Sequence, residues 1–243
     1  VSRTYAVTAT AGGDITDSGV LAITGTSTFR VAGGQSVILN ESSTFATVTF
    51  TSPGTIASVE INDSNTLDLG ALAVASNLTV TAGGAVTNSG TLVVPGTATI
   101  SASGQNVTLN TATNDFGTAA LTGADVSIRD TNAIILGAST VSGTYTVTAG
   151  GAVTDSGTQE ITGVTTISAS SQEVTLNTAT NNFADEVRIT GAAITLVDED
   201  AIDLGASTVS GNYTVTAGGN ITDSGTVTVG GNLAATTNAN NGV

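Results

Sequence analysis

A chain of 243 residues carrying 19 acidic side chains against four arginines has a net charge of −15, and that sign excludes nucleic acid and an anionic membrane surface as partners. Trp, Met, Cys, His and Lys are absent and aromatics are 3%, which excludes disulfides, thiolate zinc and thiol catalysis and leaves no material for a large aromatic core. There is no run of about 18 apolar residues, so no helical membrane span is expected.

Val1-Ser-Arg-Thr-Tyr5 at the start is in phase with Val141-Ser-Gly-Thr-Tyr145 and Val209-Ser-Gly-Asn-Tyr213, so the chain opens partway through a repeat. Each of these tyrosines leads into a Gly-Gly pair and then an Asp-Ser-Gly or its equivalent, as in Tyr145-Thr-Val-Thr-Ala-Gly-Gly-Ala-Val-Thr-Asp-Ser-Gly157. The pairs beginning at Gly12, Gly83, Gly150 and Gly218 recur at a nearly constant interval of roughly 70 residues, and a fixed period signals a solenoid. Three shorter units follow one another within each period. The first carries the Gly-Gly pair and the second carries Gln-x-Val-x-Leu-Asn, ending at Asn40, Asn110 and Asn177. The third carries an acidic turn ending in Leu-Gly, at Gly70, Gly137 and Gly205.

One β-branched position runs through all of these units: Ile15, Val37, Val59, Val86, Val107, Val126, Val153, Val174, Ile194 and Ile221. The spacing predicts about 10 coils of about 23 residues, stacked in triple-coil repeats of 67–71, with this column as the inner wall. Side chains alternate with period two around it, Val147 and Ala149 inward and Thr146 and Thr148 outward, so the elements are strands. The fold expected is all-β, a right-handed parallel β-helix forming one elongated body over 1–243, with repeats near 1–76, 77–143, 144–211 and a partial 212–243. The position after each inward residue gives a second column, Thr16, Ile38, Glu60, Thr87, Thr108, Ser127, Thr154, Thr175, Thr195 and Thr222, read as an outward hydroxyl ladder. Tyr5, Tyr145 and Tyr213 and the recurrent Phe45, Phe116 and Phe183 are expected in the core. Asn40, Asn110 and Asn177 are expected at single turns.

Chemistry has few candidate seats. Asp198-Glu199-Asp200 with Asp203 is a candidate cation turn, because several carboxylates in one turn can chelate calcium, although a solvated acidic turn explains it as well. Arg129 with Asp130, and Arg188 with Asp185 and Glu186, are the groups a carbohydrate-active β-helix would use; they are not expected to converge on one coil face with a second carboxylate pair. Asn-x-Ser/Thr triplets begin at Asn40, Asn62, Asn77, Asn106, Asn212 and Asn220. Neither end shows a cap, which points to a segment of a longer array or a filament subunit.

Runs such as Asn77-Leu-Thr-Val-Thr-Ala-Gly-Gly-Ala-Val-Thr87 resemble the coil repeats of filamentous haemagglutinin-type exoproteins, the bacterial adhesins of two-partner secretion, and of related β-strand-repeat surface proteins. The resemblance implies a secreted or cell-surface rod that serves adhesion, aggregation or biofilm structure, with other copies of itself and host or matrix glycans or proteins as partners. On this reading the chain has no catalytic role and no cofactor. The alternatives are a homopolymeric fibre stacking end to end and a carbohydrate-binding or carbohydrate-active β-helix.

Overall fold

The computed structural model describes residues 4–9 and 12–238. Every regular element in them is a strand, and the pairings between strands are parallel. No helix of the described residues is long and apolar enough to cross a membrane. The chain divides into two compact units, Val1–Ala124 and Asp125–Val243, and each is a parallel β-solenoid.

In the first unit the longest inner row is Ile15, Val37, Val59, Leu78, Ala98 and Ala119, each aligned with the next one coil on. In the second it is Ile134, Val153, Val174, Ile194, Tyr213 and Leu233. Six coils can be followed in each unit, about 12 in all. The architecture is the expected parallel β-solenoid, but its coils vary in length. Val37 to Val59 is close to the expected coil, whereas Val59 to Leu78 and Val126 to Tyr145 close over a shorter stretch.

Nine of the ten positions in the sequence-derived column are buried, and Ile221 is half-buried. They do not form one column. Val59 aligns with Leu78, while Val86 stands in a different row between Leu67 and Val107. Val126 aligns with Tyr145, whereas Val153 follows Ile134. Ile194 aligns with Tyr213, and Ile221 follows Ile202. The long steps of the column, Val59 to Val86, Val126 to Val153 and Ile194 to Ile221, are therefore each one coil plus a move to the next face. The hydroxyl column divides at the same places, since Glu60 aligns with Thr79, Ser127 with Thr146 and Thr222 with Asp203.

The reason is countable in the second unit. From Tyr145–Ala149 to Ser207–Val209 there are ten strands before Tyr213–Ala217 begins the next copy. A coil uses three strands, so a repeat spans three and one-third coils instead of three. Tyr145 accordingly sits in the row Val126, Tyr145, Thr165, Val187, and its repeat-mate Tyr213 sits in the row begun by Ile134. A copy of the motif appears one face further round with each repeat.

The shift happens where one face ends and another divides. The row Ile161, Phe183 stops because the chain turns directly after Asp198, with the Glu199 N–H donating to the Asn181 carbonyl at 2.7 Å. One coil on, Val187–Gly191 pairs with both Ile202–Leu204 and Ser207–Val209, so a single face becomes two. In the first unit the row Ile23, Phe45 ends in the same way, the Ser64 N–H donating to the Ser43 carbonyl at 2.7 Å.

Close approach of these turns explains the Gly-Gly pairs. A Cβ on Gly218 would lie 1.8 Å from the Glu199 carbonyl oxygen, and one on Gly150 would lie 2.2 Å from that of Thr131. The first glycine of each of these pairs packs against the acidic turn of the preceding coil. Gly218→Ala should force two backbones apart and destabilise the second unit by about 3 kcal/mol, the upper range of overpacking; chemical denaturation followed by hydrogen exchange at Tyr213–Ala217 checks it, and an unchanged midpoint there would refute the packing role.

Candidate functional site

Strand alternation decides which side chains can act together. Adjacent residues point to opposite faces, so any pair of neighbours in a strand is split between core and solvent. Arg129 is exposed while Asp130 is buried, and the Asp130 carboxylate accepts the Asn132 N–H at 2.8 Å. Those two residues cannot form an acid–base pair.

The candidate cation turn is split in the same way. Asp198 is 2% exposed and faces inward, and its two oxygens accept the Phe183 N–H and the Asp200 N–H, each at 2.8 Å. Burial pushes its carboxyl pKa up against those two hydrogen bonds, and the charges of Asp200 and Glu199 push it further up. Glu199 and Asp200 are exposed, and Asp203 accepts the Thr222 hydroxyl at 3.3 Å one coil away. The turn does not gather its four carboxylates, and no group of three or more His, Cys, Asp or Glu that could hold a metal ion occurs among the described residues.

Asp198 instead has a structural role, and Asp63 repeats it. Asp63 is 1% exposed and accepts the Phe45 N–H at 2.8 Å and the Asn65 N–H at 2.7 Å. Phe45 and Phe183 lie in the last strand of a face that ends, so no carbonyl of a following strand meets their N–H groups. The carboxylate is the replacement acceptor. Burial raises the Asp63 pKa as well, again opposed by its two backbone donors.

A second set of staples sits two positions before each recurrent phenylalanine. Ser43 Oγ accepts the Leu21 N–H at 3.0 Å, Asn114 Oδ1 accepts the Leu92 N–H at 2.9 Å, and Asn181 Oδ1 accepts the Gln159 N–H at 2.9 Å. All three are fully buried. The apolar periodicity does not single them out, and their fixed offset from Phe45, Phe116 and Phe183 is the signal that could have. Those phenylalanines are themselves buried. Asn40, Asn110 and Asn177 are exposed; Asn110 and Asn177 each follow directly on a strand, whereas Asn40, expected at a turn, lies within the strand Val37–Thr51, and the backbone N–H groups of Asn40 and Asn177 donate to Asp17 and Asp155 of the preceding coil.

The outward faces carry the rest of the chemistry. In the second unit Thr154, Thr175, Thr195 and Thr214 stand in register on four successive coils, flanked by Ile135 and Ala234. On the neighbouring face Thr148, Ser168, Thr190, Thr208 and Thr228 make a second row. In-register rows of this kind are spaced about 4.8 Å apart. Arg129 and Arg188 share that second face, three coils or about 14 Å apart, with Thr146, Thr148, Thr166 and Ser168 between them. Of the carboxylates beside them, Asp130 points inward and Glu186 is held by Arg188 at 2.5 Å. Only Glu186 and Arg188 form a salt bridge among the described residues.

The second unit has an open depression of about 740 Å³ over Leu204, Ile221, Val227 and Leu233, rimmed by Thr222 and Asp223. Tyr145 and Tyr213 are fully buried, whereas Tyr5 is 39% exposed. What these surfaces present is a regular field of hydroxyl and methyl groups.

The sequence profile of a family described as repeats of unknown function (DUF5649) matches the chain four times, at residues 1–52, 57–122, 123–190 and 191–243. The matches that begin at 57, 123 and 191 follow at nearly equal intervals, close to the spacing of the Gly-Gly pairs. No curated protein and no solved structure matches.

Proposed function

The chain belongs to the DUF5649 family of repeats, and from that membership and the geometry of its faces we propose an extracellular structural and adhesive solenoid. One observation carries the reading: hydroxyl rows in register over four and five coils, on a backbone whose buried polar groups are spent on holding coils together. Such a face offers many weak, identical contacts to a polymer, and repetition converts them into retention. The likeness to filamentous haemagglutinin-type exoproteins supports export and attachment at the cell surface, with matrix glycans or proteins as partners. In this reading no residue is catalytic and no calcium is required, since the acidic turn directs its first carboxylate, Asp198, inward and away from Glu199 and Asp200.

The test is retention of the immobilised protein on neutral and acidic polysaccharides and matrix proteins, with and without a calcium chelator. Binding that survives chelation and falls by about tenfold, roughly 1.4 kcal/mol, when Thr154, Thr175, Thr195 and Thr214 are all changed to Ala is the expected result. Turnover of any polysaccharide, or no retention across the panel, would overturn it.

A second reading, a homopolymeric fibre, draws on the depression around Leu233, which is 52% exposed and lies beside Thr222, Asp223 and Ser224. An exposed apolar side chain in such a depression suits contact with a second copy, and the alternative is a fibre of stacked copies. Electron microscopy separates the two, because dispersed particles at high concentration rule stacking out.

A further inference from the structure

One pair of internal alignments changes character between a repeat of the first unit and its counterpart in the second. In the first, Leu72 aligns with Leu92 and Leu78 with Ala98 on adjacent coils. One repeat later, the same two alignments in the second unit join Ser139 to Gln159 and Tyr145 to Thr165. All eight side chains are buried, none more than 4% exposed. Four apolar side chains in one repeat are exchanged as a set for four polar ones in the next, although the apolar set serves the same pairings.

Part of the polar set is satisfied by the protein. Gln159 Nε2 donates to the carbonyls of Gly137 and Gly157 at 2.8 Å, and Ser139 Oγ donates to the same Gly137 carbonyl at 3.0 Å. Tyr145 turns its hydroxyl towards Ser139 without reaching good hydrogen-bond geometry, and burial pushes its pKa up. Three atoms then remain without a protein partner: Tyr145 Oη, Gln159 Oε1 and Thr165 Oγ1. Tyr145 and Thr165 are neighbours on successive coils about 4.8 Å apart, and Gln159 is tied to Ser139 through the shared Gly137 carbonyl, so the three belong to one cluster. A buried polar atom left unpaired is costly, and an apolar alternative was open at every one of these positions.

We infer that Ser139, Tyr145, Gln159 and Thr165 enclose a binding site for a single internal water molecule in the core of the second unit. The water accepts hydrogen bonds from the Tyr145 and Thr165 hydroxyls and donates one to Gln159 Oε1. Three hydrogen bonds are the usual complement of a buried water. The site joins two adjacent coils through solvent at a level where the first unit joins them by apolar contact.

A high-resolution crystal structure of the protein should show one ordered water within hydrogen-bond distance of all three atoms; a dry cluster, or direct pairing of the three groups, would overturn the assignment. Solution measurements give an independent arm. Tyr145→Phe and Thr165→Val should each lower the denaturation midpoint of the second unit, read by hydrogen exchange at Tyr145–Ala149 and Thr165–Ser168, and the double variant should lower it no further than the larger single effect, because both hydroxyls act through the same molecule. Strictly additive shifts would count against a shared water. Replacing the four residues by the first unit's set, Ser139→Leu, Tyr145→Leu, Gln159→Leu and Thr165→Ala, should give a folded protein whose crystal structure lacks the water; retention of the water in that variant would also refute the site.

Discussion

Val153→Asp is expected to unfold the coils around it. Val153 is 0% exposed and stands between Ile134 and Val174 in the longest inner row of the second unit. Its N–H is committed to the ladder, donating to the Glu173 carbonyl at 3.0 Å, so the strand cannot rotate to bring a carboxylate out. Turning the side chain outward would require a slip of one position, and that would send Thr154 into the core and flip every neighbour. The carboxylate is therefore buried unpaired or the coil opens. Either route costs about 4 kcal/mol or more, beyond the common range for point changes. A solenoid coil is stabilised by its immediate neighbours, so the damage should be local. Native-state hydrogen exchange should lose protection over Ile134–Leu136, Val153–Asp155 and Val174–Leu176 while the first unit keeps its own. Unchanged exchange at those strands would refute the inner-wall assignment. A single melting temperature is the wrong measurement here, because a chain with two compact units is not bound to unfold in one step.

Fold class was legible in two features, the period of two along strands and the regular recurrence of the Gly-Gly pair. Stacking was not, for a physical reason. Equivalent residues in successive repeats invite alignment with each other, but spatial neighbours are set by coil length, and ten strands do not divide into whole three-strand coils. Val59 and Val86 are equivalent in sequence, yet Val59 meets Leu78 because the coil closes there before the chain reaches Val86. Thr recurs outward in almost every unit, so the hydroxyl field survives the error in the column. The staples were hidden for a different reason. Asp63 and Asp198 look like solvated or chelating carboxylates because a buried Asp is rare. Only the end of a face, invisible in sequence, creates the two unmet N–H groups that justify each of them. Asn40 and Asn177 draw notice by repetition but are exposed, while Asn114 and Asn181, in less regular surroundings, carry the buried side-chain bonds.

Removing the carboxylate at Asp198 should have the next largest effect, with a pH signature that identifies its cause. In Asp198→Leu the Phe183 and Asp200 N–H groups both lose their acceptor. Phe183 N–H is inside the core, and each orphaned buried donor costs about 1–3 kcal/mol, so a loss of roughly 3 kcal/mol is expected near neutral pH. Asp198→Asn keeps one acceptor oxygen but turns its NH₂ against the other donor, so it should lose about half as much. The pH dependence follows from the raised pKa, caused first by burial. A carboxyl whose folded pKa lies above its unfolded value binds its proton more tightly when folded. Its ionisation therefore costs stability as pH rises through the folded pKa, and that part of the stability is fully present below the unfolded pKa. Asp63 carries the same sign. The wild-type protein should accordingly gain stability on mild acidification from neutrality, helped by the loss of repulsion among 19 acidic groups. In Asp198→Asn the gain should shrink in the second unit and persist in the first, read by hydrogen exchange at Val187–Gly191 and at Thr47–Val48 across the acid range. If acidification instead destabilises the wild-type, charge–dipole attraction to the two N–H groups outweighs burial, and the carboxylate is a net anchor at neutral pH.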